Sequence, residues 1–244
     1  MWKISFCQQI GTGKKHNQDA LFNGEQVFQY KLKNTVTCQF EREKLLLGVA
    51  DGVSHSPQAQ KASRYWMEQL ANCPKLNPTW LRNQHQHFCQ AFASSLFGTA
   101  TTFVGAEIFP NGICHILNVG DSRAYHISTS GEWKQVSQDH TVLNDLQAGQ
   151  NPEKFANLYA ALSDCLIADW QEDQFRIHSA QIQLEQGDCL LLCSDGLTNG
   201  LSEEIRQAIW HKYTDIGQRL TAFRKAISQQ RQHDDVSIVA VEFG

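Results

Sequence analysis

The sequence predicts an α+β fold in which antiparallel β-sheets pack together and are covered by helices. Strand patterns come in clusters, and helix patterns come in pairs between the clusters, so the order is not a βαβ alternation. Two strand segments, "KLLLGVA" and "DCLLLCS", are apolar at nearly every position. Such runs are typical of strands buried on both faces, so we expect them at the centre of sheets that are covered twice.

The first half of the chain begins with four strand patterns separated by short polar breaks, at residues 2–9, 27–32, 35–41 and 44–50. A helix pattern follows at 57–71, where Pro57 suits a first turn and apolar residues recur at helical spacing. A second helix is expected at 78–96.

The second half repeats this arrangement, with strand patterns at 99–109, 112–120, 122–128 and 132–137. Residues 141–165 are mixed, and two more strands are expected at 175–184 and 188–194. Helices follow at 202–213, with Ser202 as N-cap, and at about 215–230. A strand at 235–243 closes the chain.

Composition excludes several classes of protein. The chain has 244 residues, and its 21 basic and 25 acidic residues give a net charge of −4. It lacks the basic stripe of a nucleic-acid or membrane-surface binder, a membrane-spanning apolar run and the apolar centre of a signal peptide. The eight cysteines include no CxxC pair, which favours reduced, mostly buried thiols. We therefore expect a cytoplasmic protein, undivided by any proline-rich linker.

Aspartates stand beside glycines at the ends of three apolar runs. Asp51-Gly52 and Asp195-Gly196 follow two of them, and Asp121 follows Gly120 after a third. Any single Asp-Gly pair is more simply a hairpin turn. Three carboxylates at the ends of buried strands would repel one another unless cations compensated them. Oxygen ligands suit Mg²⁺ or Mn²⁺, so the pattern favours a divalent metal site.

The motifs, read in order, resemble those of the metal-dependent serine/threonine protein phosphatases of type 2C. The matching segments occur in the family's order over almost the whole chain: "GKKHNQDA" (13–20), "VADGVSHSPQAQKAS" (49–63), "GTATT" (98–102), "NVGDSRAYHI" (118–127), "VSQDHT" (136–141), "LLLCSDGLTNGLSEEI" (190–205) and "HDDVSIVAV" (233–241). The resemblance implies a single domain, residues 1–244, built as an α-β-β-α sandwich: two packed antiparallel sheets flanked by helix pairs.

The resemblance also implies metal ligands. Asp51 would bridge two Mn²⁺ or Mg²⁺ ions, and the Gly52 carbonyl would bind one of them. Asp195 and Asp234 would complete the coordination of the first metal ion. Asp121 would share a third, weaker ion with Asp195, as in bacterial members. In this family a hydroxide bridging the two ions attacks phosphorus directly, so no cysteine or serine nucleophile is needed.

Other residues are implied to act around the metals. Asp19 and Gln18 would hold metal-bound water, and Gln18 stands where the family has glutamate. Lys14 stands where the family has an arginine that holds the substrate phosphate, although lysine lacks the bidentate fork. Asp235 replaces the usual asparagine.

Four further residues lie in or beside the family motifs. Val53 stands where some members have a proton-donating histidine. His55, two positions on, is a candidate donor, with an ordinary turn residue as the simpler interpretation. His140 and Arg123 we interpret as structural.

The leading functional prediction is a phosphoserine/phosphothreonine protein phosphatase that reverses a protein kinase. We expect phosphoprotein substrates, a cognate kinase, a monomer, and no nucleic-acid or membrane partner. A catalytically weak relative that binds phosphoproteins is the alternative, which Lys14 and Gln18 favour slightly. A metal-dependent nuclease is a third hypothesis, and the net charge of −4 counts against it.

Overall fold

The computed structural model describes residues 1–30, 34–147, 161–171 and 173–244. Within these ranges the strands are β1 Trp2–Gln9, β2 Asp19–Phe22, β3 Val27–Phe28, β4 Val36–Phe40, β5 Leu45–Asp51, β6 Ala100–Thr101, β7 Phe103–Ile108, β8 Ile113–Val119, β9 Arg123–Ile127, β10 Trp133–Gln135, β11 Leu166–Ile167, β12 His178–Gln183, β13 Cys189–Cys193 and β14 Val236–Glu242. The helices are α1 Ala59–Ala71, α2 Pro78–Phe92, α3 Val142–Gln147, α4 Asp195–Gly200, α5 Glu203–Lys212 and α6 Ile216–Ser228.

Most of the strands form two six-stranded antiparallel sheets. Sheet one has the order β10-β9-β13-β14-β1-β4, and sheet two has the order β12-β8-β7-β5-β2-β3. Strands β6 and β11 make a separate two-stranded ladder. The chain passes from one sheet to the other several times, so residues far apart in sequence meet where the sheets adjoin.

Three apolar layers hold the sandwich together. The central layer lies between the sheets and includes Leu47 and Leu192. A second layer packs α1 and α2 on sheet two around Trp66. A third packs α5 and α6 on sheet one around Trp210 and Phe223. The predicted α-β-β-α architecture is therefore confirmed.

Strand β13 shows why continuous apolar runs predict central strands. Leu190 and Leu192 face the other sheet, whereas Cys189, Leu191 and Cys193 face the helices, and all five residues are buried. The strand lies between β9 and β14. Since both its faces are covered, no position along it favours a polar residue.

Several predicted boundaries were wrong. Pro57 lies outside α1, because Gln58 adopts left-handed angles (φ 48°, ψ 49°) and the helix begins only at Ala59. The expected strand at 99–109 is divided at Thr102 into β6 and β7. The expected strand at 27–32 is β3, which ends at Phe28, and residues 31–33 lie outside the described residues.

The chain contains elements that the patterns did not indicate, and one predicted helix is shorter. Strand β2 begins at the end of the motif at 13–20 and continues beyond it, and α4 is too short to show helical periodicity. Helix α2 ends at Phe92 instead of residue 96. The predicted cap of α5 is confirmed, since the Ser202 hydroxyl accepts a hydrogen bond from the Ile205 amide at 3.4 Å. Across the described ranges, none of the helices has the length and apolarity needed to cross a lipid bilayer.

Candidate metal centre

Two of the predicted aspartates are neighbours across a strand ladder. Strands β2 and β5 pair so that Asp19 lies directly opposite Asp51. Side chains opposite each other in an antiparallel pair lie on the same face of the sheet. Asp19 is completely buried, and Asp51 is half-buried at the end of its strand.

Sheet one brings two further carboxylates to the same place. Asp195 follows β13 and opens α4, and Asp234 comes just before β14. Ser194 joins the sheets, because its hydroxyl donates to Asp19 Oδ2 at 2.7 Å and accepts from the Ser237 amide at 3.0 Å. The cluster is therefore built where the two sheets adjoin.

Asp121 lies where the chain passes from sheet two to sheet one. It follows β8, which belongs to sheet two, and precedes β9, which belongs to sheet one, so the Gly120-Asp121 pair is not a hairpin turn. The Thr102 hydroxyl accepts a hydrogen bond from the Asp51 amide at 2.9 Å. It also forms a hydrogen bond with the Ser122 hydroxyl at 2.6 Å. This chain of hydrogen bonds links the end of β5 to the turn that carries Asp121.

The glycines beside two of the aspartates are required by close packing. A Cβ on Gly52 would lie 2.7 Å from the Ala59 carbonyl oxygen at the start of α1. A Cβ on Gly196 would lie 1.9 Å from the Asp235 carbonyl oxygen. A larger residue at 196 would push Asp195 away from the segment that carries Asp234 and Asp235, and one at 52 would push the end of β5 away from α1.

Burial and mutual repulsion disfavour ionisation of the cluster. Burial, with Asp235 and Asp195 nearby, raises the pKa of Asp19 to about 8, although the Ser194 hydrogen bond opposes the rise. The pKa of Asp51 is raised well above its ordinary range by burial and then by Asp19 and Asp195. In the absence of a cation these carboxyl groups retain protons.

The same causes act on the remaining members. Burial raises the pKa of Asp121 to about 7, with Asp195 and Asp139 adding to the rise. Burial also raises the pKa of Asp195. A hydrogen bond with the Asp51 carboxyl group lowers this pKa and so offsets part of the rise.

The donor set fits hard divalent cations. Asp19 Oδ1 and Asp195 Oδ1 are buried without a hydrogen-bond partner, which is costly for a carboxylate. Among the described residues, no group of three or more His, Cys, Asp or Glu side chains already surrounds one point as a ligand set. Asp51 and Asp195 are hydrogen-bonded to each other, and Asp234 forms an ion pair with Lys14. A cation would replace these contacts, and carboxylate oxygens are the ligands that Mg²⁺ and Mn²⁺ prefer.

Lys14 contacts the acidic residues at the end of the motif before β14. Its Nζ donates to Asp234 Oδ1 and lies 2.9 Å from Asp235 Oδ2. Burial opposes protonation, but these hydrogen bonds outweigh it and raise the pKa of Lys14. The ammonium group is therefore at the margin of the cluster.

Two other predicted positions differ in exposure. Gln18 is half-buried, and its amide oxygen accepts from the Ser54 hydroxyl at 3.3 Å. His55 is exposed. Gln18 is next to Asp19 in the chain and is therefore close to the cluster. None of the described contacts holds the His55 side chain against the cluster.

His140 and Arg123 have the supporting contacts that we expected of structural residues. His140 Nδ1 lies 3.2 Å from the Gly120 amide, and the His140 amide donates to the Gly120 carbonyl at 3.0 Å. Arg123 makes a bidentate ion pair with Asp139. Both residues therefore brace the turn that carries Asp121.

Sequence reasoning missed the hydroxyl and amide groups that support the aspartates. These are Ser194, Thr102 and Asn17, whose Oδ1 accepts from the Asp19 amide at 2.9 Å. Ser194 precedes the predicted ligand Asp195, and Asn17 lies two residues before Asp19, which was predicted to hold metal-bound water; this proximity is the local signal that the sequence offers. Their partners are distant in sequence, so the pattern alone could not assign them.

Comparison with known proteins agrees with this architecture. A family model described as Protein phosphatase 2C matches residues 12–231. The serine/threonine phosphatase stp of Listeria innocua serovar 6a is 26% identical over 253 aligned residues, covering 97% of this chain and 94% of the relative. The Staphylococcus aureus serine/threonine phosphatase Stp1 matches in structure with a TM-score of 0.78 at 22% identity, covering 100% of this chain and 96% of that one.

A structure of the catalytic domain of the serine threonine protein phosphatase PstP, in complex with two manganese ions, matches with a TM-score of 0.72 at 19% identity, covering 98% of each chain. At these identities the structural matches bear on the fold, and they agree with the two-sheet sandwich described above. The match of the family model over most of the sequence goes further: this chain belongs to the protein phosphatase 2C family.

Proposed function

We propose that this chain, residues 1–244, is one catalytic domain that hydrolyses phosphoserine and phosphothreonine in proteins with the help of divalent cations. The observation that carries the proposal is the group formed by the buried Asp19 and the half-buried Asp51 and Asp195, in which two buried carboxylate oxygens have no hydrogen-bond partner. A group of carboxylates is costly to bury unless cations complete it. The relative in Listeria is named as a serine/threonine phosphatase, which supports the substrate class.

In this proposal Asp51, the Gly52 carbonyl, Asp195 and Asp234 hold two cations, and Asp121 with Asp195 holds a third. When bound, the cations supply Lewis-acid stabilisation of the developing charge and activate water for attack on phosphorus. The chain's own residues keep the ligands in place. The Ser194 hydroxyl holds Oδ2 of Asp19, and the buried Oδ1 has no hydrogen-bond partner and is left for metal-bound water.

Lys14 and Gln18 act around the cations. Lys14 is the ammonium group closest to the cluster among the described contacts, so it is our candidate for holding the substrate phosphate. Gln18 orients water through its amide oxygen, at the cost of the negative charge that a glutamate would add. Weaker substrate binding than an arginine would give is expected, because lysine makes no bidentate contact.

The cysteines do not supply the nucleophile. Cys193 ends β13 close to Asp195, but burial raises the pKa of its thiol to about 12, so it stays protonated at neutral pH. Cys7, Cys73, Cys89, Cys114 and Cys189 are likewise buried thiols. Buried reduced thiols also support a cytoplasmic location, which we propose together with a monomeric state.

Hydrolysis of a phosphothreonine peptide tests the function, with the phosphotyrosine peptide of the same sequence as control. We expect turnover of the phosphothreonine peptide with Mn²⁺ or Mg²⁺, loss of it in EDTA, and insensitivity to thiol reagents. Both ions suit oxygen ligands, and the manganese in the PstP structure supports testing Mn²⁺ first. Full turnover in EDTA would rule the proposal out.

The same assay separates the alternative of a phosphoprotein-binding module. Such a module would bind the phosphothreonine peptide with Mn²⁺ present but release no phosphate. A phosphatase of this substrate class depends on a kinase to supply its substrate, so we propose phosphoproteins made by a serine/threonine kinase as its partners. Proteins that gain phosphate when the chain is absent would identify them.

A further inference from the structure

Lys14 is held by acidic residues from the other end of the chain. Its Nζ contacts Asp234 Oδ1 and lies 2.9 Å from Asp235 Oδ2, across a sequence separation of 220 and 221 residues. The Lys14 side chain is only 24% exposed, which is low for a lysine. Its position is therefore fixed by specific contacts and is not that of a solvated loop residue.

Asp235 is the anchor of this arrangement. Its side chain is 1% exposed, and both of its oxygens are used. Oδ1 accepts from the Gly11 amide at 2.7 Å, and Oδ2 accepts from the Gln18 amide at 2.9 Å as well as from Lys14. An asparagine offers one acceptor oxygen, so only a carboxylate can receive all three donors. Asp235 thus pins both ends of the loop that carries Lys14.

Asp234 is the exchangeable partner. Its side chain is 47% exposed, and its Oδ1 accepts from the Asp235 amide at 2.7 Å in addition to Lys14. Asp234 and Lys14 both act electrostatically on Asp195. An ammonium group and a divalent cation at this place have charges of the same sign, so they would repel each other and compete for the same carboxylate group.

We propose that Lys14 is a tethered cation that competes with the divalent ion for Asp234. Asp235 keeps the ammonium group at the site, and a cation that binds Asp234 displaces Lys14 from that oxygen while the Asp235 contact remains. The displaced ammonium stays beside the cluster, where it can meet the substrate phosphate. This inference rests on the metal dependence proposed above and adds a residue that lowers metal affinity.

Calorimetric titration with MnCl₂ tests the competition directly. Removing the competing charge in Lys14→Met should tighten Mn²⁺ binding by about three- to tenfold, the scale of a unit charge acting at a partly exposed site. Lys15→Met is the matched control, because it removes the same charge from the next, exposed residue, and it should bind Mn²⁺ as the wild type does.

The outcomes separate this inference from the proposed function. Unchanged or weaker Mn²⁺ binding by Lys14→Met, with binding intact in the wild type, overturns the competition alone. Equal tightening by both lysine variants also overturns it, because net charge would then explain the effect. A wild-type protein that binds no Mn²⁺ and hydrolyses phosphopeptide in EDTA overturns the proposed function.

A second measurement uses the wild-type protein, so it does not depend on a variant that folds. The rate at which acetic anhydride acetylates each lysine can be followed by mass spectrometry with and without MnCl₂. Displacement from Asp234 should raise the rate at Lys14 by severalfold and leave Lys15 unchanged. An unchanged or lower rate at Lys14 on addition of Mn²⁺ would contradict the displacement.

Discussion

Two buried carboxylates in sheet two are compensated in opposite ways. Glu107 in β7 is 1% exposed, and the Lys44 ammonium lies 2.5 Å from its Oε1. Its Oε2 accepts from the Leu76 amide at 3.3 Å. Asp19 in β2 is 0% exposed, and hydrogen bonds with the Ser194 hydroxyl and the Asp51 carboxyl group lower its pKa, but none of the described ion pairs joins it to a lysine or arginine.

The difference separates a structural carboxylate from one that needs a cation from outside the chain. Glu107 is paired with a lysine of the same protein, so its charge is compensated without a cation from solution. The charged groups that act on Asp19 are other aspartates, and these raise its pKa. Lys14 pairs with Asp234, which is half-exposed, and with Asp235, which is buried, and it forms no described ion pair with Asp19. Substitutions in the cluster should therefore reduce activity, whereas substitution of Glu107 should reduce stability.

The largest effect is expected for Asp51→Asn. Asp51 faces Asp19 across the ladder and is assigned to bridge two cations, so its loss should lower kcat by at least about 100-fold. The melting temperature in EDTA should change little, because asparagine has nearly the shape of the protonated carboxyl group that Asp51 keeps in the absence of a cation. Phosphopeptide hydrolysis within a few-fold of wild type would show that Asp51 does not bridge the ions.

Asp121→Ala should have a smaller but clear effect on turnover. A ligand of a third, weaker ion should lower kcat by about tenfold and shift the Mn²⁺ concentration needed for half-maximal rate. Stability should be unchanged or higher, since the pKa of Asp121 is raised by burial and by the repulsion of Asp195. A lower melting temperature combined with wild-type kinetics would assign Asp121 to a purely structural turn.

Glu107→Gln should show the opposite behaviour. The substitution leaves Lys44 without its charged partner and should lower the free energy of unfolding by about 1–3 kcal/mol. At a temperature where the variant is folded, kcat should match wild type, because Glu107 lies in β7 and contacts none of the cluster aspartates. Urea unfolding and phosphopeptide kinetics on one preparation measure the free energy of unfolding and kcat. A reduced kcat in fully folded protein would show that Glu107 is not purely structural.

The smallest effect, a few degrees in melting temperature, is expected from pH in EDTA. Folded-state pKa values of about 8 for Asp19 and about 7 for Asp121 lie above the ordinary value of 3.8. The folded protein therefore holds more protons than the unfolded chain between these values, and this contribution to stability is lost as pH rises towards 8. Added Mn²⁺ should raise the melting temperature by more as the pH rises over this range, because it takes the place of the protons on the carboxyl groups. Asp19→Asn is the control. If its melting temperature depends on pH as that of the wild type does, Asp19 is not a source of the pH dependence.

Local patterns in the sequence determined the layers of the fold. The continuous apolar run of β13 encodes burial on both faces, and the apolar spacing of α1 encodes one helical face. Such information is local, because each side chain's preference for the interior acts whatever its eventual neighbour is. The aspartates at the ends of apolar strands, Asp51 and Asp195, could be identified as candidates for the same reason.

Only the tertiary structure decided what those residues meet. The pairing of Asp19 with Asp51 depends on the register of β2 against β5, and the contact of Lys14 with Asp235 joins residues 221 positions apart. The left-handed Gln58 before α1 likewise carries no local signal, since a glycine would be the usual residue for such angles. Register and chain crossing arise from the packing of two whole sheets, so the sequence alone could name the carboxylates, whereas the fold set their partners, their burial and their pKa values.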